Sequence, residues 1–178
     1  MAILVEKNLK FWGHNCFSIV SDKTLLLIDP WFSKSGAFFG SWFQYPKNHH
    51  LQKKVLDMLE EFENSFIFIS HEHQDHYDKD FLCNVKKNTT IIIPSYKDKS
   101  FKQDCEGFGL KVIEIKDTKK FSLSKNFWIK PYTSHIGINH DSAILIVTDN
   151  FTFFNQNDCK IFDRLDEIDE VIDYYSVQ

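Results

Sequence analysis

His71, His73, Asp75 and His76 stand within six positions, straight after the apolar run Phe66-Ile67-Phe68-Ile69. In an extended chain alternate side chains share a face, so His71, His73 and Asp75 can leave a strand end together. A turn at that point lets His76 join them. Neutral imidazoles and a carboxylate are good ligands for zinc and similar divalent ions. Nothing else in the 178 residues gathers so many potential ligands. The plainer alternative is a solvated loop that happens to carry three of the chain's eight histidines.

The elements that must position this cluster are legible from their periodicity. Residues 2–5, 9–12, 16–20 and 24–28 read as strands, and the continuous apolar run Leu25 to Ile28 indicates a strand buried on both faces. That strand ends at Asp29-Pro30, and His14 sits in the earlier turn Gly13-His14-Asn15. His14 is a turn residue without chemistry or a contributor to the site, and Asp29 is a turn cap, a direct metal ligand, or a residue of the pocket or the surroundings of a ligand. Residues 31–46 hold seven aromatics among Ser, Gly and Lys with no clean period, which reads as a long loop. It walls a pocket, lies against a partner or lipid surface, or closes one end of the core.

Apolar residues from Leu51 to Phe62 recur at helical spacing. The strand 66–69 then delivers the histidine cluster at its C-terminal end, where layered α/β sheets place their sites. Asp78 is a candidate N-cap for a helix through Val85. A strand over 89–93, a helix over 96–106 and strands near 111–115, 121, 127–132, 143–147 and 151–154 follow. An acidic helix is expected between Cys159 and Gln178. Polar clusters follow strand ends at 70–76, 133–142 and 155–159, and all three can meet at one sheet edge.

The totals fit one domain over residues 1–178, with a core large enough to bury most of 18 phenylalanines. A net charge of −4 argues against a dedicated nucleic-acid binder. Cys16, Cys83, Cys105 and Cys159 are far apart, and neither a CxxC nor a CxH pair exists, so a zinc ribbon, redox dithiol or Rieske cluster is unsupported. The N-terminal residues lack a signal-peptide pattern, and no apolar run approaches the ~18 residues that cross a bilayer. A reduced, cytoplasmic setting is the expectation.

In this order the residues resemble the metallo-β-lactamase fold superfamily. The resemblance rests on His71-x-His73-x-Asp75-His76, on His135 after the 127–132 strand, and on Asp158 after the 151–154 strand. The branch with the ascorbate-phosphate lactonase-like proteins and the N-terminal part of CMP-N-acetylneuraminate hydroxylase looks most alike. Asp29-Pro30-Trp31, the run Ser70–Asp78 and the stretch from Asn139-His140-Asp141-Ser142 to Asn157-Asp158-Cys159 carry that likeness.

The resemblance implies an α+β, four-layer αβ/βα sandwich with its metals at the edge between two sheets. It implies a first metal on His71, His73 and His135 and a second on Asp75, His76 and a bridging Asp158. Two zinc ions are the expectation, with manganese or iron as alternatives. The superfamily normally supplies one more histidine from a later segment, and no histidine follows His140 here. The domain is therefore expected to be shortened at its C-terminal end, or its site to be reduced, with His14 or His140 as a substitute ligand.

The implied function is a hydrolase acting on a small molecule. A metal-bound hydroxide would attack an ester, lactone or phosphodiester, with Asp75 the candidate catalytic proton acceptor. The alternatives are an iron-binding oxidoreductase or hydroxylase-like domain, and a non-catalytic fragment of the fold that binds a partner. Oligomeric state is not legible.

Overall fold

The computed structural model describes residues 3–6, 8–134 and 140–177. A seven-stranded sheet runs in chain order: β1 (Ile3–Glu6), β2 (Leu9–Gly13), β3 (Cys16–Ser21), β4 (Thr24–Ile28), β5 (Asn64–Phe68), β6 (Thr89–Pro94) and β7 (Lys111–Ile115). Strands β1 to β4 are antiparallel neighbours, and β4 to β7 are parallel. Parallel neighbours need crossovers, which carry α1 (Gln52–Glu61), α2 (Lys79–Leu82) and α3 (Ser100–Glu106). A second sheet of five strands is ordered β12 (Tyr174–Ser176), β11 (Thr152–Asn155), β10 (Ser142–Val147), β9 (Phe127–Thr133) and β8 (Phe121–Ser124).

Alternation along the strands sorts the side chains into layers. In β4, β5 and β6, Leu25, Leu27, Ile67, Ile91 and Ile93 pack under the helices. Leu26, Ile28, Phe68 and Ile92 point the other way, to the core between the sheets, where Ile129, Ile144, Ile146 and Phe153 meet them. The outer face of the second sheet holds Tyr132, Ala143, Leu145 and Phe154, covered by Ile161, Ile168 and Ile172. The continuous apolar runs are therefore strands with a core on each face.

This is the α+β layered arrangement the sequence indicated, with two local departures. The acidic helix expected after Cys159 does not form. The fourth layer is a 3-10 turn, Phe162–Glu167, followed by β12. That segment's backbone is used to cover the edge of β11, through Asp173 N–H to Thr152 O and Gln156 N–H to Ser176 O, and edge pairing satisfies groups that a helix would leave open. Helix α3 starts at Ser100 rather than Tyr96, because the Tyr96 hydroxyl donates to Ser70 O at 2.6 Å and the Asp98 carboxylate accepts from Ser100 N–H.

The aromatic loop is ordered by few but well-placed bonds. Asp78 caps α2 by accepting from Phe81 N–H, and its other oxygen accepts from Phe32 and Ser33 N–H at 2.8 and 2.7 Å. Ala37 and Trp42 exchange backbone hydrogen bonds across a tight turn. Phe38 and Phe39 inside it have φ of 51° and 59°, a conformation bulky residues rarely adopt.

Candidate metal centre

Five chain segments end at one rim, at the C-terminal ends of β4 and β5 and the adjoining ends of β9, β10 and β11. Asp29 follows β4, residues 70–76 follow β5, Asp141 precedes β10 and Asp158 follows β11, while the β2–β3 turn adds His14. The candidate ligands form two groups, His14 with Asp75 and His76, and His71 with His73 and Asp158. Within each, one donor atom per residue lies within 4.8 Å of the others.

Asp29 is the organising carboxylate. It is fully buried at φ +40°. Its Oδ1 accepts from Ser70 N–H and its Oδ2 from the Ser70 hydroxyl, both at 2.7 Å. His76 Nδ1 lies 2.9 Å from the same Oδ2, and Ser70 Oγ lies 2.9 Å from His71 Nδ1. One carboxylate thus engages the Nδ1 of His76 directly and that of His71 through a serine, leaving both Nε2 atoms to face the rim. Outer-shell partners of this kind fix the tautomer and orientation of ligating histidines.

Of the two Nε2 atoms, that of His71 meets a second imidazole and that of His76 has no hydrogen bond. His71 Nε2 lies 2.8 Å from His73 Nδ1. Tetrahedral imidazole donors around zinc sit about 3.3 Å apart, from bond lengths of about 2.0–2.1 Å, so this pair needs to open by only roughly 0.5 Å. His76 Nε2 is 3.6 Å from Asp158 Oδ2 and 3.8 Å from Asp75 Oδ2, beyond hydrogen-bonding range. His14 Nε2 lies 3.1 Å from Asp75 Oδ2 without hydrogen-bond alignment. Among the described residues eight buried side-chain polar atoms lack a hydrogen bond, and three of them are His14 Nε2, Asp75 Oδ1 and His76 Nε2. Unpaired buried groups are costly, and three of them on residues that group together fit a cation.

The electrostatics have the same sense. Burial holds His71 down to about 4, helped by the neighbouring His76 charge. Burial also opposes charge on His76, but Asp158 and Asp29, which face its two nitrogens, outweigh it and raise His76 to about 10. Burial works against the Asp75 carboxylate too, yet the adjacent His14 and the His76 charge hold it below its ordinary value. Asp158 is lowered against its own burial by His76 and His71.

Of the residues singled out from sequence, His71, His73, Asp75, His76 and Asp158 come together. His14 joins them as a donor, grouped with Asp75 and His76 where the resemblance implied Asp158. Asp158 lies with His71 and His73 but faces His76 as well. Asp29 supports ligands from behind. His140 enters neither group and stacks on Tyr96, with ring centroids 4.7 Å apart. His135 lies outside the described residues. The sequence reading passed over Ser70 and Asp141. Asp141 Oδ1 lies 3.4 Å from His71 Nδ1, and burial together with Asp158 raises its carboxyl to about 7. Its sequence signals were its place in the polar stretch before β10 and in the Asn139-His140-Asp141-Ser142 run that carries the family likeness.

The aromatic loop closes one side. Trp31 and Trp42 set their ring edges against His14, at centroid distances of 5.2 and 6.3 Å. Phe38 stands 6.1 Å from the His73 ring, and its N–H donates to Gln74 Oε1.

Two sheets meeting at a rim of histidines and aspartates define a metallo-β-lactamase fold. Residues 8–141 match the family described as the Beta-lactamase superfamily domain, and the chain belongs to that superfamily. It is 29% identical over 162 residues to a Mycolicibacterium smegmatis protein named for a Rieske 2Fe-2S iron-sulfur centre, covering 85% of this chain and 29% of that one. The chain thus spans about three-tenths of the length of this relative. Among solved structures, a mutant of the CmlA beta-hydroxylase superposes with a TM-score of 0.66 at 16% identity, over 94% of this chain and 34% of the other. The isothiocyanate hydrolase from Delia radicum gut bacteria gives 0.58 at 13% identity, over 82% and 60%. The fold is thus shared with a beta-hydroxylase and a hydrolase. No helix among the described residues is long and apolar enough to cross a membrane.

Proposed function

We propose that this chain is a metal-dependent hydrolase domain acting on an ester, lactone or phosphodiester bond of a small molecule. The observation that carries the reading is the grouping of His14, Asp75 and His76, whose His14 Nε2, Asp75 Oδ1 and His76 Nε2 are buried without a hydrogen bond, beside the second group of His71, His73 and Asp158. His14, Asp75 and His76 would hold one divalent ion. His71, His73 and Asp158 would hold the other, with His135 as a further donor. When bound, a divalent pair acts as a Lewis acid and lowers the pKa of coordinated water, zinc being the first expectation.

The chain's own groups do the rest. Asp29 and Ser70 keep His76 and His71 aimed at the rim. Asp75, held ionised by its neighbours, accepts a proton from the attacking water. Trp31, Trp42 and Phe38 restrict bulk water on one side and offer an apolar wall to the substrate. Four free cysteines, three of them buried, suit a reducing compartment, and we place the protein in the cytoplasm.

A second reading is favoured by the donor chemistry. Each group holds two histidines and one carboxylate, the ligand set of non-haem iron(II) oxygenases. An iron-dependent oxidoreductase therefore stands as the alternative.

Elemental analysis of purified protein, with and without His73→Ala, separates the readings. Near-stoichiometric zinc or manganese that falls in the variant, with hydrolysis of p-nitrophenyl acetate or bis(p-nitrophenyl) phosphate, supports the hydrolase. Iron with no hydrolysis supports the oxidoreductase. No bound metal in the wild type, and no change in the variant, overturns both.

A further inference from the structure

We infer that the aromatic loop is a docking surface for anionic phospholipid membranes. Five of the nine exposed large hydrophobic residues among the described ones fall between positions 38 and 45. Phe39 and Tyr45 are essentially fully exposed, at 101% and 96%, and Trp42 and Phe43 are about half exposed. A concentrated apolar patch of this kind marks an interaction site. The turn that presents it is held, not loose. Ala37 and Trp42 close it by two backbone hydrogen bonds. A side chain at Gly36 would strike Trp42 O at 2.7 Å and the Phe43 ring at 2.8 Å.

The charge around the patch identifies the occupant. No Asp or Glu occurs between Asp29 and Asp57, and within the loop stretch Lys34 and Lys47 supply positive charge in a chain whose net charge is −4. At the base of the loop, Lys34, Lys47 and His49 line a cavity of about 220 Å³ with Gln44, Asn48 and Phe43, and no carboxylate borders it. Protruding rings above a flank that carries Lys34, Lys47 and His49 complement a bilayer interface, while the carboxylates Glu72, Asp78, Asp80 and Asp104 border a separate cavity with Ser33, Ser35 and Gly36. Phe, Trp and Tyr side chains insert at the headgroup boundary, and lysines meet the phosphates of an anionic leaflet. A second copy is the poorer occupant. Two-fold pairing of this face gathers Lys34 and Lys47 of both copies into one interface, which concentrates like charge there. The docked loop also touches the rim through Trp42 on His14 and Phe38 on His73, so it would sit where the metal centre opens. The inference does not depend on which metal is bound or on hydrolysis.

The test is flotation with vesicles of phosphatidylcholine alone and of phosphatidylcholine with phosphatidylserine. It uses the wild type, Phe39→Ser with Tyr45→Ser, and Lys34→Glu with Lys47→Glu. We expect wild-type protein to float with the serine-containing vesicles, with a blue shift of tryptophan emission. Each lysine near an anionic surface contributes about fivefold in partitioning, so the charge-reversed pair should lose at least about 25-fold. The aromatic pair should lose at least about tenfold, and melting temperature and metal content should be unchanged in both. Absence of flotation by the wild type overturns the inference, as does flotation that both variants retain. Self-association of the wild type that the aromatic pair abolishes, without any vesicle binding, assigns the surface to a second copy and also overturns it.

Discussion

Asp29→Asn isolates the carboxylate that arranges the rim. The residue sits at φ +40°, a conformation asparagine tolerates, so the backbone is not the variable. Asparagine keeps the shape but offers one acceptor oxygen in place of two. Oδ1 accepts Ser70 N–H, while Oδ2 accepts the Ser70 hydroxyl and faces His76 Nδ1. The amide is expected to place its NH2 at the Oδ1 position, because the alternative sets it against two groups instead of one. Ser70 N–H is then buried opposite another donor. Losing a hydrogen bond to a charged group costs about 1.5–3 kcal/mol, and an unsatisfied buried donor costs about 1–3 kcal/mol. These overlap, and about 3 kcal/mol is the expected total. For a domain of this size that is a fall in Tm of about 6–12 °C. Loss of the negative charge behind His76 also weakens the imidazole as a ligand, by about 10–100-fold in metal affinity. Urea unfolding of metal-stripped protein measures the first effect, and competition with a chromogenic zinc chelator measures the second. Wild-type values in both assays would refute the role given to Asp29.

His14→Ala should leave the His71 group intact while removing one donor from the other, so metal content should fall by about one ion per chain with little loss of stability; unchanged stoichiometry counts against His14 as a ligand. The stability of the metal-free protein should fall with rising pH. His76 is raised from 6.5 to about 10, so its stabilisation is complete below about 6.5 and is lost as the pH rises through 10. Asp141, raised from 3.8 to about 7, has the same sign, its contribution disappearing as the pH rises through 7. His71, lowered from 6.5 to about 4, has the opposite sign and costs stability as the pH falls from 6.5 through 4. Scanning calorimetry after chelation should therefore show Tm dropping between pH 7 and 9.5, and a flat or rising profile contradicts the assignment of His76. Gly36→Ala, at φ +74° and with backbone at 2.7 Å, should cost about 2 kcal/mol locally and open the aromatic turn to limited proteolysis; equal cleavage rates would show that the turn is not held by that approach.

The strands and their layers were legible because a strand with a core on each face must be apolar throughout, as Leu25 to Ile28 is, and because alternation is a local property. The order of the strands and their parallel pairing came only from the structure. The 159–178 segment was misread for a physical reason. Its acidic, isoleucine-spaced pattern suits a helix, but the free edge of β11 offered its backbone hydrogen bonds that helix formation would have forgone. The Tyr96–Lys99 stretch was drawn out of α3 by a hydroxyl reaching Ser70 O, a partner 26 residues away.

For the site, the sequence by itself determined the density of ligands. His71, His73, Asp75 and His76 follow one strand at spacings that a turn can gather, and Asp158 stands after another strand. What only the tertiary structure decided is which candidate donors lie together and what holds them. His14 and His140 were equal candidates by type and by loop position. One is carried by the β2–β3 turn to within 3.1 Å of Asp75, and the other is taken up by the Tyr96 ring. Asp29, a turn residue in the sequence, became the hub of the rim because β4 pairs with β5 in register, which sets its carboxylate beside Ser70. Ligand identity is a matter of side-chain chemistry and can be read locally. Ligand grouping depends on which strand ends lie side by side, and that is fixed by sheet register and by the packing of two cores across dozens of residues.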